Sequence, residues 1–427
     1  MCYPPQDYVG TIPADTRGRT IVVAASNSID PTLAPAAYRC DGVDDQVEIN
    51  NAITALGATG GTVILLEGQY NITASINLAS LTTLMGEGAG TVLKIPNAFN
   101  ADLNVISASS KNRVLVADLR IDGNKANQTA GTMYGIYFDT VTYSTVARCL
   151  VENLRDISIT LSSSSNYNTI TSNTCKNSSY NGIRLQGSSH NTVTGNTCQG
   201  NLWGIHLDSS SDNTIAGNTC QGNTNYGIRL YSSSNNTITG NTCQGNTYQG
   251  ISLYHSNNNN TIAGNSCNGN GTHSIHLEDS CNNNTITGNT CQGNSYRGIT
   301  LFSSSNYNTI TSNTCQGNNR EGINVSGSNN NNISSNTVEG NSQAADNTYD
   351  GIFVYNNSDY NNIQGNTVRH AGGANQHRYG INISAADCDG SLVINNDLYL
   401  AGRTADYNDA GTGTIYHNNR TTAGWVA

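Results

Sequence analysis

Residues 191–207 read NTVTGNTCQGNLWGIHL, and the phrase returns as NTIAGNTCQGNTNYGIRL at 213–230, NTITGNTCQGNTYQGISL at 236–253 and NTITGNTCQGNSYRGITL at 284–301. Copies are spaced 22 to 24 residues apart, and an internal period of this size decides architecture before any single residue does. Each copy holds three short runs, Asn-Thr-Ile-Thr, Asn-Thr-Cys and Gly-Ile-x-Leu. In each run apolar alternates with polar, and Gly-Asn or Ser-Ser-Asn turn signals separate them. Three strands per unit follow. A run this short buries too little surface to stand alone, so the chain must coil and stack equivalent runs as parallel sheets. The predicted fold is an all-β solenoid.

Within a solenoid the apolar member of each run points inward and meets its copy about 4.8 Å above and below. Cys175, Cys198, Cys220, Cys243, Cys267, Cys291 and Cys315 form one such column, which Val338 and Val368 continue. The exchange of Cys for Val marks a site that wants a small apolar group, as a buried free thiol is. With no Cys-x-x-Cys pair, a packing ladder is expected rather than disulfides or a metal site. Gly precedes Ile at 135, 182, 204, 227, 250, 298, 322, 351 and 380, which suits a corner needing positive φ or close backbone approach. Asn at 196, 218, 241, 265, 289, 336 and 366 belongs to another corner, where side-chain amides can stack between coils.

Outside the repeats, residues 44–55 read as a helix with Val47, Ile49, Ala52, Ile53 and Leu56 on one face. Placed there, it caps the open end of the solenoid, whose edge backbone is otherwise unpaired. The chain divides into an N-terminal extension at 1–19, a cap and first coils at 20–95, the helix proper at 96–400 and a C-terminal cap or tail at 401–427. Of 427 residues 11% are charged, and the net charge is -10 with no basic run. That balance excludes nucleic acid as a partner. No window approaches the roughly 18 to 20 consecutive apolar residues of a membrane span. The first thirty residues lack the pattern of a secretory leader, which leaves a mature chain, a virion protein assembled in the cytoplasm or a trimmed one.

The segment CDGVDDQVEINNAITALGATGGTVILLEGQYNI at 40–72 resembles the cap and first coil of right-handed parallel β-helix proteins of the pectate-lyase-like superfamily, and the repeats are similar to parallel β-helix repeats. The resemblance spans roughly residues 20–400. It implies a right-handed single-stranded parallel β-helix with an N-terminal capping helix. Polysaccharide lyases, glycosidases, uronate epimerases and phage tailspikes share this scaffold, so the partner it implies is a polysaccharide and the location extracellular or virion-associated, as a monomer or homotrimer. No catalytic motif of these families, such as the tyrosine, aspartate and histidine signature of mannuronan epimerases, maps residue by residue. Chemistry must come from the side chains themselves.

In so charge-poor a chain the placing of ionisable groups is informative. The x positions of Gly-Ile-x-Leu-x face outward and present, coil after coil, Tyr137 and Asp139, Ser158 and Thr160, Arg184 and Gln186, His206 and Asp208, Arg229 and Tyr231, Ser252 and Tyr254, then His276 and Glu278. The corner before each Gly adds Tyr134, Trp203, Tyr226, Arg297, Glu321 and Asp350. Rings stack on sugars, Arg grips carboxylates and His transfers protons near neutrality. This strip is what an extended acidic sugar chain needs, with Tyr137, Trp203, Tyr226, Tyr254, His276, Glu278 and Arg297 as substrate-binding candidates.

The tightest cluster, Arg184, His206, Asp208, Arg229 and Tyr231, occupies three adjacent coils within about 10 Å. β-Elimination or C5 epimerisation of a uronate needs its carboxylate neutralised, the α-proton removed and a proton delivered elsewhere. The expected roles are Arg184 or Arg229 as neutraliser, His206 as base, Tyr231 as acid, and Asp208 as orienter or cation ligand. No cofactor is assigned, and Ca²⁺ is the one candidate ion. Glycoside hydrolysis needs two carboxyls roughly 5 to 9.5 Å apart. Glu321 and Asp350, at equivalent corners of adjacent coils, are the pair that fits, and they keep a hydrolase or tailspike depolymerase open beside a non-catalytic adhesin or fibre.

Overall fold

The structure, a computed structural model, describes residues 19–372 and 374–426. The expected extension ahead of Arg19, Cys2 included, lies outside the described residues. Three parallel sheets of 16, 14 and 13 strands run the length of the molecule, and each third strand along the chain returns to the same sheet. In the coil of the first quoted copy, Thr192–Thr194, Thr197–Gln199 and Trp203–Asp208 each enter a different sheet. These are named below the Asn-Thr, cysteine and Gly-Ile sheets. The expected parallel β-solenoid of three strands per coil is what forms. Among the described residues no helix is long and apolar enough to cross a membrane.

Register follows the columns read from the repeat. Cys175 pairs with Cys198, and the pairing runs unbroken to Cys315, Val338 and Val368. All nine are fully buried, and every described cysteine is free. The packing ladder is therefore real. The asparagine corner is a hydrogen-bonded ladder. Asn241 Oδ1 accepts from the backbone N–H of Asn218 at 2.9 Å, while its Nδ2 donates to the Ile215 carbonyl and to Asn265 Oδ1, both at 2.9 Å. Two further ladders, through Asn191 and Asn213 and through Asn201 and Asn223, line the other corners. Buried corner backbone thus finds its partners without water.

The glycine ahead of Ile serves close approach and not a left-handed turn. A Cβ on Gly204 would meet the Gly227 carbonyl oxygen at 2.4 Å and Cys220 Cβ at 3.0 Å. Left-handed backbone belongs to the Gly-Asn turns instead, as at Gly195 with φ +64° and Gly217 with φ +61°.

The helix, α1 (Gln46–Leu56), buries Ile49, Ala52, Ile53 and Leu56. Val47 is exposed, because two residues turn the helix by about 200° and set it opposite Ile49. The helix does cap the first coil. Asp45, just ahead of it, accepts from Asn71 N–H at 2.7 Å, Gln46 from Thr73 N–H at 3.1 Å and Asn50 from Asn77 N–H at 2.8 Å. At the other end Ala405–Asp409 and Ile415–His417 still extend the sheets, before an antiparallel pair, Asn419–Thr421 with Gly424–Val426.

Most coils hold 22 to 24 residues, as the ladder steps from Asn196 to Asn218, Asn241 and Asn265 show. Three of the longer coils take 30 residues, from Leu115 to Thr145 and from Asn336 through Asn366 to Asn396. Their extra length lies in connectors 123–132, 340–351 and 370–378, between the cysteine and Gly-Ile sheets. The first of these loops stands toward the N-terminal end of the outward strip and the other two toward its C-terminal end.

Candidate functional site

Pairing on the Gly-Ile sheet puts Tyr137, Thr160, Arg184, His206, Arg229, Ser252 and His276 in one outward column. Beside it runs Asp139, Ser162, Gln186, Asp208, Tyr231, Tyr254 and Glu278. One step of the sequence reading slips by two: Ser162, not Ser158, lies beside Asp139, because Ser158 takes the place of the corner glycine.

A cleft of about 590 Å³ opens at the N-terminal end of this strip. Tyr134, Arg155, Asp156, Tyr180, Asn181, Arg184, Trp203, His206 and Asp208 contribute to its walls. Loop 123–132 closes one side, pinned where Arg155 donates to the carbonyls of Gly131 at 3.0 Å and Gln128 at 3.2 Å. His206 is 6% exposed, and neither ring nitrogen has a hydrogen-bond partner. Trp203 meets the ring edge-on, with centroids 4.5 Å apart. Burial, then the positive charges of Arg229 and Arg184, hold the imidazole neutral and pull its pKa down to about 3. His206 is thus not tuned to carry protons near neutrality in the free protein.

Arg184 Nη2 donates to Asp208 Oδ2 at 3.1 Å, while Arg184 Nε is buried without a partner. Asp208, expected to orient the base or hold Ca²⁺, is engaged by this arginine instead. Arg229 has no carboxylate within ion-pair distance among the described residues. Its guanidinium lies 4.9 Å from the Trp203 ring centroid, 5.1 Å from Tyr226 and 5.7 Å from Tyr254. Opposite stands Asp156, whose carboxyl is pushed up by burial and partly restored by Arg184 and by a hydrogen bond with Tyr134. Tyr134 is itself raised by burial and by Asp156.

Other expectations fare unevenly. Tyr231, the expected acid, does not line the cleft and stacks instead on His255, centroids 5.6 Å apart. Tyr137 touches the cleft only through Tyr134, 5.3 Å away. His276 is buried against His273, lies 3.4 Å from Gln249 Nε2, and has Glu278 3.9 Å from its Nδ1. Each carboxylate of the expected hydrolase pair is engaged by an arginine. Glu321 accepts from Arg297 Nε at 2.6 Å. Asp350 accepts from Arg378 at 3.1 and 2.8 Å, from Tyr379 N–H at 3.2 Å and from Asn382 at 2.8 Å. Asp156, Arg155 and Tyr180 escaped the sequence reading. For Arg155 and Asp156 the signal was the broken repeat at residues 154–158, which carries Asp and Ser where other coils carry the corner pattern.

Residues 134–291 match the family model of a right-handed β-helix region, and residues 256–425 that of the periplasmic copper-binding protein NosD. No three metal-binding side chains come together among the described residues of 256–425; the one such trio, Cys40, Asp45 and Glu48, lies outside that stretch. The residues present do not fit a copper centre. Among solved structures, the A-module of a mannuronan C-5 epimerase of Azotobacter vinelandii superposes with a TM-score of 0.56 at 20% identity, over 88% of this chain and 96% of that one. The Agl-KA catalytic domain gives 0.56 at 16% identity, over 88% and 66%. The Dettilon tailspike protein gives 0.50 at 16% identity, over 91% and 68%. No curated protein sequence matches the chain. Identities this low speak for fold and not for reaction. By its coiled sheets, its repeat and these likenesses, the chain has the fold of a right-handed parallel β-helix.

Proposed function

We propose that the protein is an enzyme of acidic polysaccharides, binding a uronate-bearing chain along the Gly-Ile face and acting by C5 epimerisation or β-elimination over His206. One observation carries the reading: a neutral, buried imidazole with both nitrogens unbonded, set between two arginines in the wall of the cleft. Likeness to a mannuronan epimerase and a tailspike supports a polysaccharide as the partner. Such a polymer puts the protein outside the cell or on a virion.

Arg229, which lacks an anionic partner, receives the uronate carboxylate. The bound charge offsets the repulsion from Arg229 and Arg184, the smaller part of what depresses His206 beside burial, and so raises the basicity of the ring toward proton removal from C5. Tyr134, backed by the raised carboxyl of Asp156, replaces Tyr231 as the proton donor. In epimerisation the proton returns to C5 from the opposite face. In elimination it goes to the C4 oxygen as the C4–O bond breaks and a C4=C5 double bond forms.

The test is incubation with polymannuronate, polyguluronate and polygalacturonate in D₂O. Deuterium at C5, or the ultraviolet absorbance of an unsaturated end, is the expected result. His206→Gln, which keeps the volume, should lower the rate by roughly 10²–10⁴-fold. A wild-type protein that alters none of these polymers overturns the proposal.

A further inference from the structure

One feature of the Gly-Ile face recurs near its far end. At the N-terminal end Arg229 sits among Trp203, Tyr226 and Tyr254 with no carboxylate to pair with. At the far end Arg320 does the same. Its guanidinium lies 3.9 Å from the Tyr296 ring centroid and 5.0 Å from that of Tyr349, which comes from the long connector 340–351. No ion pair engages it among the described residues. Its neighbour Arg297 also packs on Tyr296, at 4.6 Å, but is neutralised by Glu321. The strip thus holds two cations that are fixed by rings and left free of anions. Stacking keeps each guanidinium in place; Arg320 Nη1 also donates to Tyr296 Oη at 2.5 Å, which leaves its Nη2 and Nε N–H groups to receive a carboxylate.

A second sign of an absent ligand accompanies this end. Asn324, in the coil of Arg320, is fully buried, and neither its amide oxygen nor its nitrogen has a hydrogen-bond partner. Unpartnered buried polar atoms are costly and uncommon. They gather along this face, at Thr160, Asn181, His206, Gln249, Thr272 and Asn324.

We infer that Arg320, Tyr296 and Tyr349 form a second anion-binding subsite that grips another acidic unit of the same polysaccharide chain. The inference rests on the proposed reading of the cleft. Glycines 227 and 322 mark the two coils, with 250 and 298 and the equivalent Ser274 between them. The clamps therefore stand four coils, about 19 Å, apart along the axis. The substrate class is a polyanion with regularly recurring acid groups and a run of sugars long enough to span both clamps. A short oligomer engages one clamp. A longer one engages both, and the second contact forms at high effective concentration.

Calorimetric titration of the full chain with size-graded oligomannuronates and oligogalacturonates tests this. Wild-type affinity should rise by about tenfold or more once an oligomer spans both clamps. Arg320→Ala should bind long oligomers only as tightly as wild type binds short ones, and Arg320→Lys should recover part of the gain. A loss caused by misfolding would weaken short and long oligomers alike and would also lower the melting temperature. Length-independent wild-type affinity, or an Arg320→Ala variant that binds long oligomers as wild type does, sinks the second subsite and leaves the cleft standing. A wild-type protein that binds no oligomer of either series sinks both.

Discussion

At position 220 the repeat demands volume and the absence of charge. Cys220 has Cys198 and Cys243 directly above and below it and no exposure at all. Valine fills the same column at 338 and 368. Cys220→Val should therefore unfold in urea within about 1 kcal/mol of wild type, a near volume-conserving swap. Cys220→Ser should lose about 1 to 3 kcal/mol, because a hydroxyl is a stronger polar group to bury unpaired. A serine variant as stable as the parent would show that the column is not a packing device. His206 makes the complementary point. Its side of the sheet could be read from the alternation of Gly-Ile-His-Leu, whereas its protonation could not. That depends on Trp203 from its own strand and on arginines 22 and 23 residues away, and sequence spacing does not report their shielding.

Among the elements, the asparagine ladders carry the corners, and one of them ends in a different residue. Where the third ladder would need another asparagine, His377 Nε2 accepts from Asn341 N–H at 2.9 Å, and Nδ1 faces the Ala401 carbonyl at 3.1 Å. Accepting that bond requires the neutral ring. Burial, joined by His370, pulls the pKa of His377 from 6.5 to about 4, although the Ala401 carbonyl pushes the other way. Between those values the unfolded chain binds more protons than the folded one, so stability is complete above pH 6.5 and falls as the pH drops toward about 4. Scanning calorimetry across this window should show a declining melting temperature. His377→Asn, which continues the ladder without titrating, should flatten the decline but not abolish it, since His206 and His276 are shifted the same way. An unchanged slope would remove His377 from the account. The first ladder was visible in the sequence as a recurring Asn, mostly after Gly, but the ladders through Asn191 and Asn201 were not. An Asn at a turn reads as a turn residue until its partner one coil away is known.

For the whole molecule, each coil touches only its neighbours, so damage at one end should stay near that end. Asp45→Ala removes the acceptors for Gly42 N–H and Asn71 N–H at the cap. Hydrogen exchange should then rise in the first coils, residues 61–94, and remain as in wild type over 190–320. Loss of protection along the entire rod would mean that the cap holds the fold globally. Period, alternation and the Cys-to-Val exchange were enough to specify coiling, sheet membership and the side-chain direction in the regular coils, because these depend on contacts repeated at a constant interval along the chain. The cleft arose differently. Asp156 beside Tyr134, the pairing of Arg184 with Asp208, the engagement of Glu321 and Asp350 by arginines, and the solitude of Arg229 and Arg320 are set by individual side chains meeting across coils and by irregular connectors. A periodic reading averages over those departures, and distances between particular atoms exist only once the chain is wound.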